Sequence, residues 1–294
     1  MSTTSLSIEN TSRKIEYRTR GTGHGPIVRL MSPHDYGRIA KPFVFLDLFE
    51  GDAAVIERMP MHPHSGIATV TVITEGDLRF DDPISGSGFI GYGGVEWMRA
   101  GGGVWHGKEM SAGKSQRVRG YQLWVALPAE LENGPVDSQY IEAAEMPKTG
   151  PAYVIVGEHN GVKSPVRAQP GLNYLLVTLP PNTAWEYVPP AGHTTLWMSV
   201  SRGNLHSSEV VAAGEFVIFE SGEHALQLRA GNEDAVFVIG SAIPHPHDLK
   251  LGNYSVHTSD AALRLGEEKI KDIGRRLQTE MLNKQAHTSI PIFK

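Results

Sequence analysis

Short apolar runs that alternate with turn clusters, several of them closed by glycine or proline, recur along most of this 294-residue chain and restrict it to a β-rich architecture. Ala68 to Thr74 reads ATVTVIT, rich in β-branched residues, and runs into a turn at Glu75-Gly76. Phe43-Val44-Phe45-Leu46 follows Pro42, and Tyr121 to Leu127 is stopped by Pro128. Val28 to Met31 is a further run, and Val95 to Met98 follows the glycine-rich stretch Ser85 to Gly94. The 32 glycines and 19 prolines supply turns for many such strands. A second series starts near Ala152 and includes Tyr174 to Leu179, Thr195 to Val200 and Ala235 to Gly240. The pattern predicts an all-β protein of two tandem barrels, joined through the acidic, proline-containing stretch Glu142 to Pro151.

The C-terminal stretch changes period. From Ala261 to Met281, Leu263, Ile270, Ile273 and Leu277 fall on one helical face, with Gly266 and Gly274 as weak points. The expected organisation is therefore a metal-binding N-terminal barrel over 15–141, a metal-free C-terminal barrel over 152–260, and a short helix with a tail over 261–294. Residues 1 to about 14 are polar and read as a loose tail.

Charge and cysteine usage narrow the function. A formal net charge of -5 gives no basic field for direct nucleic-acid binding. There is no cysteine, so any metal must sit on His, Asp or Glu. No secretory leader pattern and no bilayer-length apolar run is present, and the expected location is the cytoplasm, without a membrane partner. A monomer is the favoured state.

Histidines carry the strongest chemical signal. In MHPHSG, His62 and His64 are two apart, which places both imidazoles on one side of a strand. His106 follows the run Gly101 to Gly103 in AGGGVWHGKEM, with Glu109 three residues on. Neutral imidazole is a ligand for Fe, Zn, Cu and Ni, and three His with one carboxylate would leave positions open on an octahedral ion. On a regular strand His106 and Glu109 face opposite sides, so they can share an ion only if the chain turns at Gly107. The second pair, His245 and His247, lies in a proline-containing connection and reads as a structural loop. Trp97, Trp105 and Trp124 read as core, with Trp105 of interest beside His106, and Phe43 and Phe45 as barrel filling. Met59, Met61 and Met98 are candidates for an apolar pocket accepting a planar aromatic ligand.

Four blocks give a family resemblance. MHPHSGIATVTVITEG (Met61 to Gly76), GGVEWMRAGGGVWHGKEM (Gly93 to Met110), YQLWVALP (Tyr121 to Pro128) and PFVFLDLF (Pro42 to Phe49) resemble, in order and spacing, blocks of the pirin family of the cupin superfamily. The resemblance implies two cupin (double-stranded β-helix, jelly-roll) barrels and one iron, as Fe2+, in the first, with His62, His64 and His106 as ligands. Ni, Cu, Mn and Zn also suit a nitrogen-rich set. The family's fourth ligand is a Glu two residues after the third His. Here that position is Lys108, leaving either Glu109 as ligand through a one-residue insertion or three His completed by water. Ser65 stands for the family's Arg, and Ile67-Ala68 for its Phe-Glu.

The resemblance implies an iron dioxygenase that cleaves flavonol-type, quercetin-like substrates with dioxygen, Glu109 accepting the substrate's hydroxyl proton as catalytic base. Its partners would be a small aromatic substrate and O2. The alternative is a redox-sensitive iron-binding regulator that binds a transcription factor or a metabolic enzyme.

Overall fold

In the computed structural model, which describes residues 13–58 and 60–282, the β-branched run around Val70 becomes the strand Ile67–Glu75, at the heart of a seven-stranded antiparallel sheet. Its order is Asp137–Ile141, Val95–Arg99, Ile67–Glu75, Arg117–Ala126, Phe43–Asp52, Ile27–Met31 and Thr22–His24. A three-stranded sheet (Met110–Ala112, Asp77–Asp82, Gly86–Gly91) and the pair His62–His64 with Val104–His106 complete this barrel.

Register explains what the barrel interior holds. Directly opposed residues of antiparallel strands share a face. One row across five strands is polar: Glu96, Thr71, Gln122, Asp47 and Arg29 are successive cross-strand partners. The next row is Met98, Thr69, Trp124 and Phe45. Phe45 and Trp124 stack with centroids 4.1 Å apart, and the Arg29 guanidinium lies 4.1 Å over the Phe45 ring.

The second barrel has its own seven-stranded antiparallel sheet and a four-stranded sheet. Its interior is filled by Val154, Leu175, Val177, Leu196, Met198, Val217, Phe237 and Ile239, all at most 1% exposed. Its edge strand Ile15–Thr19 pairs with Phe216–Phe219. Burial of Arg13, whose guanidinium donates to the carbonyls of Glu220 and Thr194, anchors the start of that strand.

The chain therefore divides differently from the sequential order the sequence suggests. Residues 13–22 group with 147–244, and residues 23–146 group with 245–282. The physical reason is pairing: an N-terminal strand needs a free sheet edge, and it finds one in the second barrel. Residues 1–12 and 283–294, expected as tails, lie outside the described residues, as does Met59.

The C-terminal helix spans Asp260–Leu282. Ser259 caps it, its Oγ accepting from the Ala262 amide at 3.2 Å. Ile270, Ile273 and Leu277 are buried, and Met61 and Trp105 pack on the last two. The two glycines expected as weak points are instead close-approach points. A Cβ at Gly266 would come within 2.6 Å of both Ser65 Oγ and His257 Nε2, and one at Gly274 within 2.9 Å of the Trp105 ring. The helix accepts a propensity cost of about 1 kcal/mol per glycine in order to lie this close. Among the described residues no helix is long and apolar enough to cross a membrane.

Candidate metal centre

The pairing of His62–His64 with Val104–His106 sets His106 opposite His62 and Trp105 opposite Pro63. Alternation then sends His62, His64 and His106 to one face and Trp105 to the other, where its indole donates to the Ile270 carbonyl at 2.8 Å. The three rings lie with centroids 4.5 to 5.0 Å apart, and one ligand atom from each falls within 4.8 Å of the other two.

Each ring is oriented through its Nδ1. That of His62 lies 3.0 Å from the Pro60 carbonyl, that of His64 3.1 Å from the Tyr254 carbonyl, and that of His106 2.7 Å from Glu109 Oε1. An oxygen acceptor at Nδ1 selects the tautomer with its proton there and leaves the lone pair on Nε2. His106 Nε2 is buried and has no hydrogen-bond partner. Burial, with the neighbouring His106 ring disfavouring an added charge, holds His62 below the usual imidazole range, and burial pushes His64 well below it, so both stay neutral near pH 7. A buried imidazole nitrogen without a donor is costly unless an electrophile completes it, so the donor set fits a first-row metal ion.

Glu109 reaches this site by a turn. The strand ends at His106, and Gly107 at φ +121° reverses the backbone. The carboxylate folds back on its own segment: Oε1 accepts from His106, and Oε2 from the amides of Gly107 and Lys108 at 2.8 and 2.9 Å. Burial opposes its charge, but these bonds hold its carboxyl below the usual range. Glu109 is not part of the ligand-atom cluster that the three histidines form. In this arrangement both carboxylate oxygens receive donors from the chain's own segment.

A cavity of about 420 Å³ opens onto the histidines. Phe45, Trp124, Thr69, Thr71, Gln122, Asp47 and Arg29 line it, with Leu78, Met110, Val118 and Tyr254. Trp124, which the sequence reads as core, is thus a cavity wall. Met61 and Met98 lie elsewhere, Met61 against the helix and Met98 with Ala100 and Val104. Arg29 and Asp47 form a forked ion pair, Nη2 to Oδ2 at 3.1 Å. Burial raises the Asp47 carboxyl, and Arg29 opposes the rise.

Several contributors were not singled out from the sequence. Tyr254 stands 190 residues from His64 in the chain. Its segment is pinned by a buried chain: Ser65 Oγ lies 3.0 Å from His257 Nε2, and His257 Nδ1 lies 3.1 Å from Glu132 Oε2. Ser65 also donates to Ser255 at 2.9 Å. This Ser–His–Glu connectivity resembles a hydrolytic triad, but Ser65 is 0% exposed beneath Gly266, so it serves as a brace. Glu96 is another such contributor, and its readable signal is a carboxylate inside the strand VEWM. His245, by contrast, takes the loop role expected of it, with Nε2 facing the Leu127 carbonyl at 3.3 Å.

Barrel topology and a His-lined cavity together define a bicupin with a metal-type first barrel. A pirin family model matches residues 27–125. A pirin-like protein of Arabidopsis thaliana is 30% identical over 266 residues, 84% of this chain and 84% of its own length. A pirin-like protein of Caulobacter vibrioides is 44% identical over 108 residues, 36% of this chain and 39% of that protein's length. The crystal structure of a quercetin 2,3-dioxygenase from Acinetobacter baumannii superposes with a TM-score of 0.76 at 25% identity, over 90% of this chain and 97% of that one. The chain belongs to the pirin family.

Proposed function

We propose that this protein is an iron-dependent dioxygenase that opens flavonol-type substrates such as quercetin, with the ion held by Nε2 of His62, His64 and His106. The observation that carries the reading is the set of three Nδ1 contacts, to Pro60, Tyr254 and Glu109, which leaves all three Nε2 lone pairs for one ion. Of the two arrangements open from the sequence, the hydrogen bonds to Glu109 favour three His completed by water. When bound, the metal supplies a Lewis acid for a chelating hydroxyketone and a redox partner for dioxygen.

The chain's own residues do the rest. Glu109 fixes the His106 tautomer and raises the basicity of its Nε2. Phe45 and Trp124 offer an aromatic wall to a planar ligand, and the adjoining polar row offers hydrogen bonds to its hydroxyls. The cavity falls within the usual range for small-molecule sites. Likeness to the Acinetobacter quercetin 2,3-dioxygenase supports the substrate class.

Aerobic incubation of iron-loaded protein with quercetin tests the reading. The expected result is loss of the flavonol absorbance with release of carbon monoxide. Protein carrying one iron per chain that leaves quercetin unchanged would overturn it. Reconstitution with nickel, copper, manganese and zinc in parallel assigns the metal.

A further inference from the structure

Glu96 is a carboxyl that the three-histidine geometry leaves without a task. It sits on Val95–Arg99 in the polar row of the barrel interior and is 1% exposed. Its hydrogen-bond partners are two hydroxyls: Thr69 Oγ1 lies 3.2 Å from its Oε1, and Thr71 Oγ1 lies 2.6 Å from its Oε2. Both threonines line the cavity that opens onto the histidines.

Thr71 is placed between two acceptors. Its Oγ1 also stands 2.9 Å from Gln122 Oε1, yet one hydroxyl carries one proton. With Glu96 neutral, the carboxylic acid donates to Thr71 and Thr71 donates to Gln122. With Glu96 ionised, Thr71 turns its proton to the carboxylate and Gln122 presents its amide nitrogen. Each state leaves the hydrogen-bonding groups of the chain paired, so moving the proton strands no buried donor or acceptor.

The surroundings keep the two states close in energy. Burial raises the Glu96 carboxyl and the charge of Glu109 adds to the rise, while Thr71, Thr69 and the attraction of His106 oppose it, leaving it at about 7. Tyr140, directly opposite Glu96 on Asp137–Ile141, stays a neutral phenol, pushed upward by burial and by the charges of Glu96, Glu109 and Asp82. The groups that face Glu96 are thus Thr69 and Thr71 from one neighbouring strand, Tyr140 from the other, and His106 and Glu109 from across the barrel.

We propose that Glu96 is the proton store of the cavity: a ligand hydroxyl bound at the histidines gives its proton to Thr71, and Thr71 passes its own to Glu96. The ligand O–H bond breaks as a new Thr71 O–H bond forms. The original Thr71 O–H bond breaks as Glu96 becomes a carboxylic acid, and no electrons change hands. The ligand class is a phenol or enol acidic enough to ionise near neutrality. Taking the 3-hydroxyl of a flavonol as that group rests on the proposed function. Glu96 acts through Thr71 and is a positioning residue in this scheme.

Two measurements separate this inference from the dioxygenase reading. Infrared difference spectra of the metal-free protein, titrated from pH 5 to 9, read Glu96 without any ligand. A buried carboxylic-acid band should disappear through neutral pH and be missing from Glu96→Gln; a band absent at low pH, or unchanged in the variant, overturns the proposal. Second, the absorbance of quercetin bound to the iron-loaded protein under anaerobic conditions reports its ionisation. In wild type the anion should form near neutrality, and in Glu96→Gln and Thr71→Val its midpoint should rise by about one pH unit, a tenfold change. Identical midpoints in all three proteins would contradict the relay and leave the dioxygenase reading standing. Failure of quercetin to bind the iron-loaded protein at all would instead sink the dioxygenase reading, while the infrared result still decides Glu96.

Discussion

Glu109 Oε1 accepts a 2.7 Å hydrogen bond from His106 Nδ1, and this contact decides which nitrogen of His106 faces the cavity. It makes the carboxylate a group that orients the ring. Replacing Glu109 by Ala should weaken metal affinity by about 10–100-fold, the usual size of such an outer contact. Glu109→Gln should lose less, because an amide oxygen still accepts from Nδ1. His106→Ala should abolish stoichiometric binding. Calorimetric titration of the three variants checks this; losses in Glu109→Gln as large as in His106→Ala would make Glu109 a ligand after all.

Glu96 gives a pH-dependent stability of defined sign. Its carboxyl titrates at about 7 in the fold against 4.5 as a free side chain. The unfolded chain therefore releases this proton first, and stability falls as pH rises from 4.5 toward 7. The full difference is on the order of 3 kcal/mol. Glu96→Gln removes the titration while keeping the shape. Denaturant unfolding of metal-free wild type and variant should show the variant gaining on wild type through that window, with the histidine contributions common to both. A constant difference from pH 4.5 to 7 would contradict the assigned shift.

The depressed imidazoles predict acid tolerance of the metal site. His62 and His64 resist protonation until below their ordinary value of 6.5 because burial disfavours their charge. Protons compete with metal only once the rings charge. Metal retention after dialysis at stepped pH should persist below 6.5 and fail at lower pH. Loss centred above that value would contradict it.

Gly274 sits against Trp105, where a Cβ would lie 2.9 Å from the ring. Gly274→Leu should therefore cost about 1–3 kcal/mol through overpacking, despite its better helix propensity. Leu265→Ala, on the 56% exposed side of the same helix, should change stability by no more than about 0.5 kcal/mol. Thermal unfolding of both variants is the check.

Glu132 receives His257 Nδ1, the Thr258 amide at 2.7 Å and the Thr258 hydroxyl at 2.7 Å, all within one buried brace. Glu132→Ala leaves these donors unsatisfied and should cost about 1–3 kcal/mol. Because the brace holds Tyr254 against His64, metal affinity should fall as well. Unchanged affinity in a folded Glu132→Ala protein would show that the brace is only structural.

Much of this was legible in residue order because it is local. Period-two alternation in ATVTVIT and the HPH pair specify strand faces, so the barrel class and the convergence of His62 with His64 follow from neighbours in sequence. Gly107 marked the turn that returns Glu109 to His106. What the sequence hid is long-range. The pairing of Ile15–Thr19 with Phe216–Phe219, and the seat of Tyr254 on His64, depend on contacts about 200 residues apart that leave no spacing signature. Gly266 and Gly274 looked like flaws in a helix because their neighbours, Ser65 and Trp105, are invisible without the fold. Trp124 reads as core in the sequence because burial and cavity lining impose the same apolar composition.

The central claim is that three Nε2 atoms share one ion. Anomalous diffraction from crystals of the iron-loaded protein, collected across the iron edge, tests it directly. The prediction is a single peak at about 2.0–2.2 Å from Nε2 of His62, His64 and His106, with Glu109 still bonded to His106 Nδ1. A peak elsewhere, or rings that remain hydrogen-bonded as they are with no peak between them, would contradict the account.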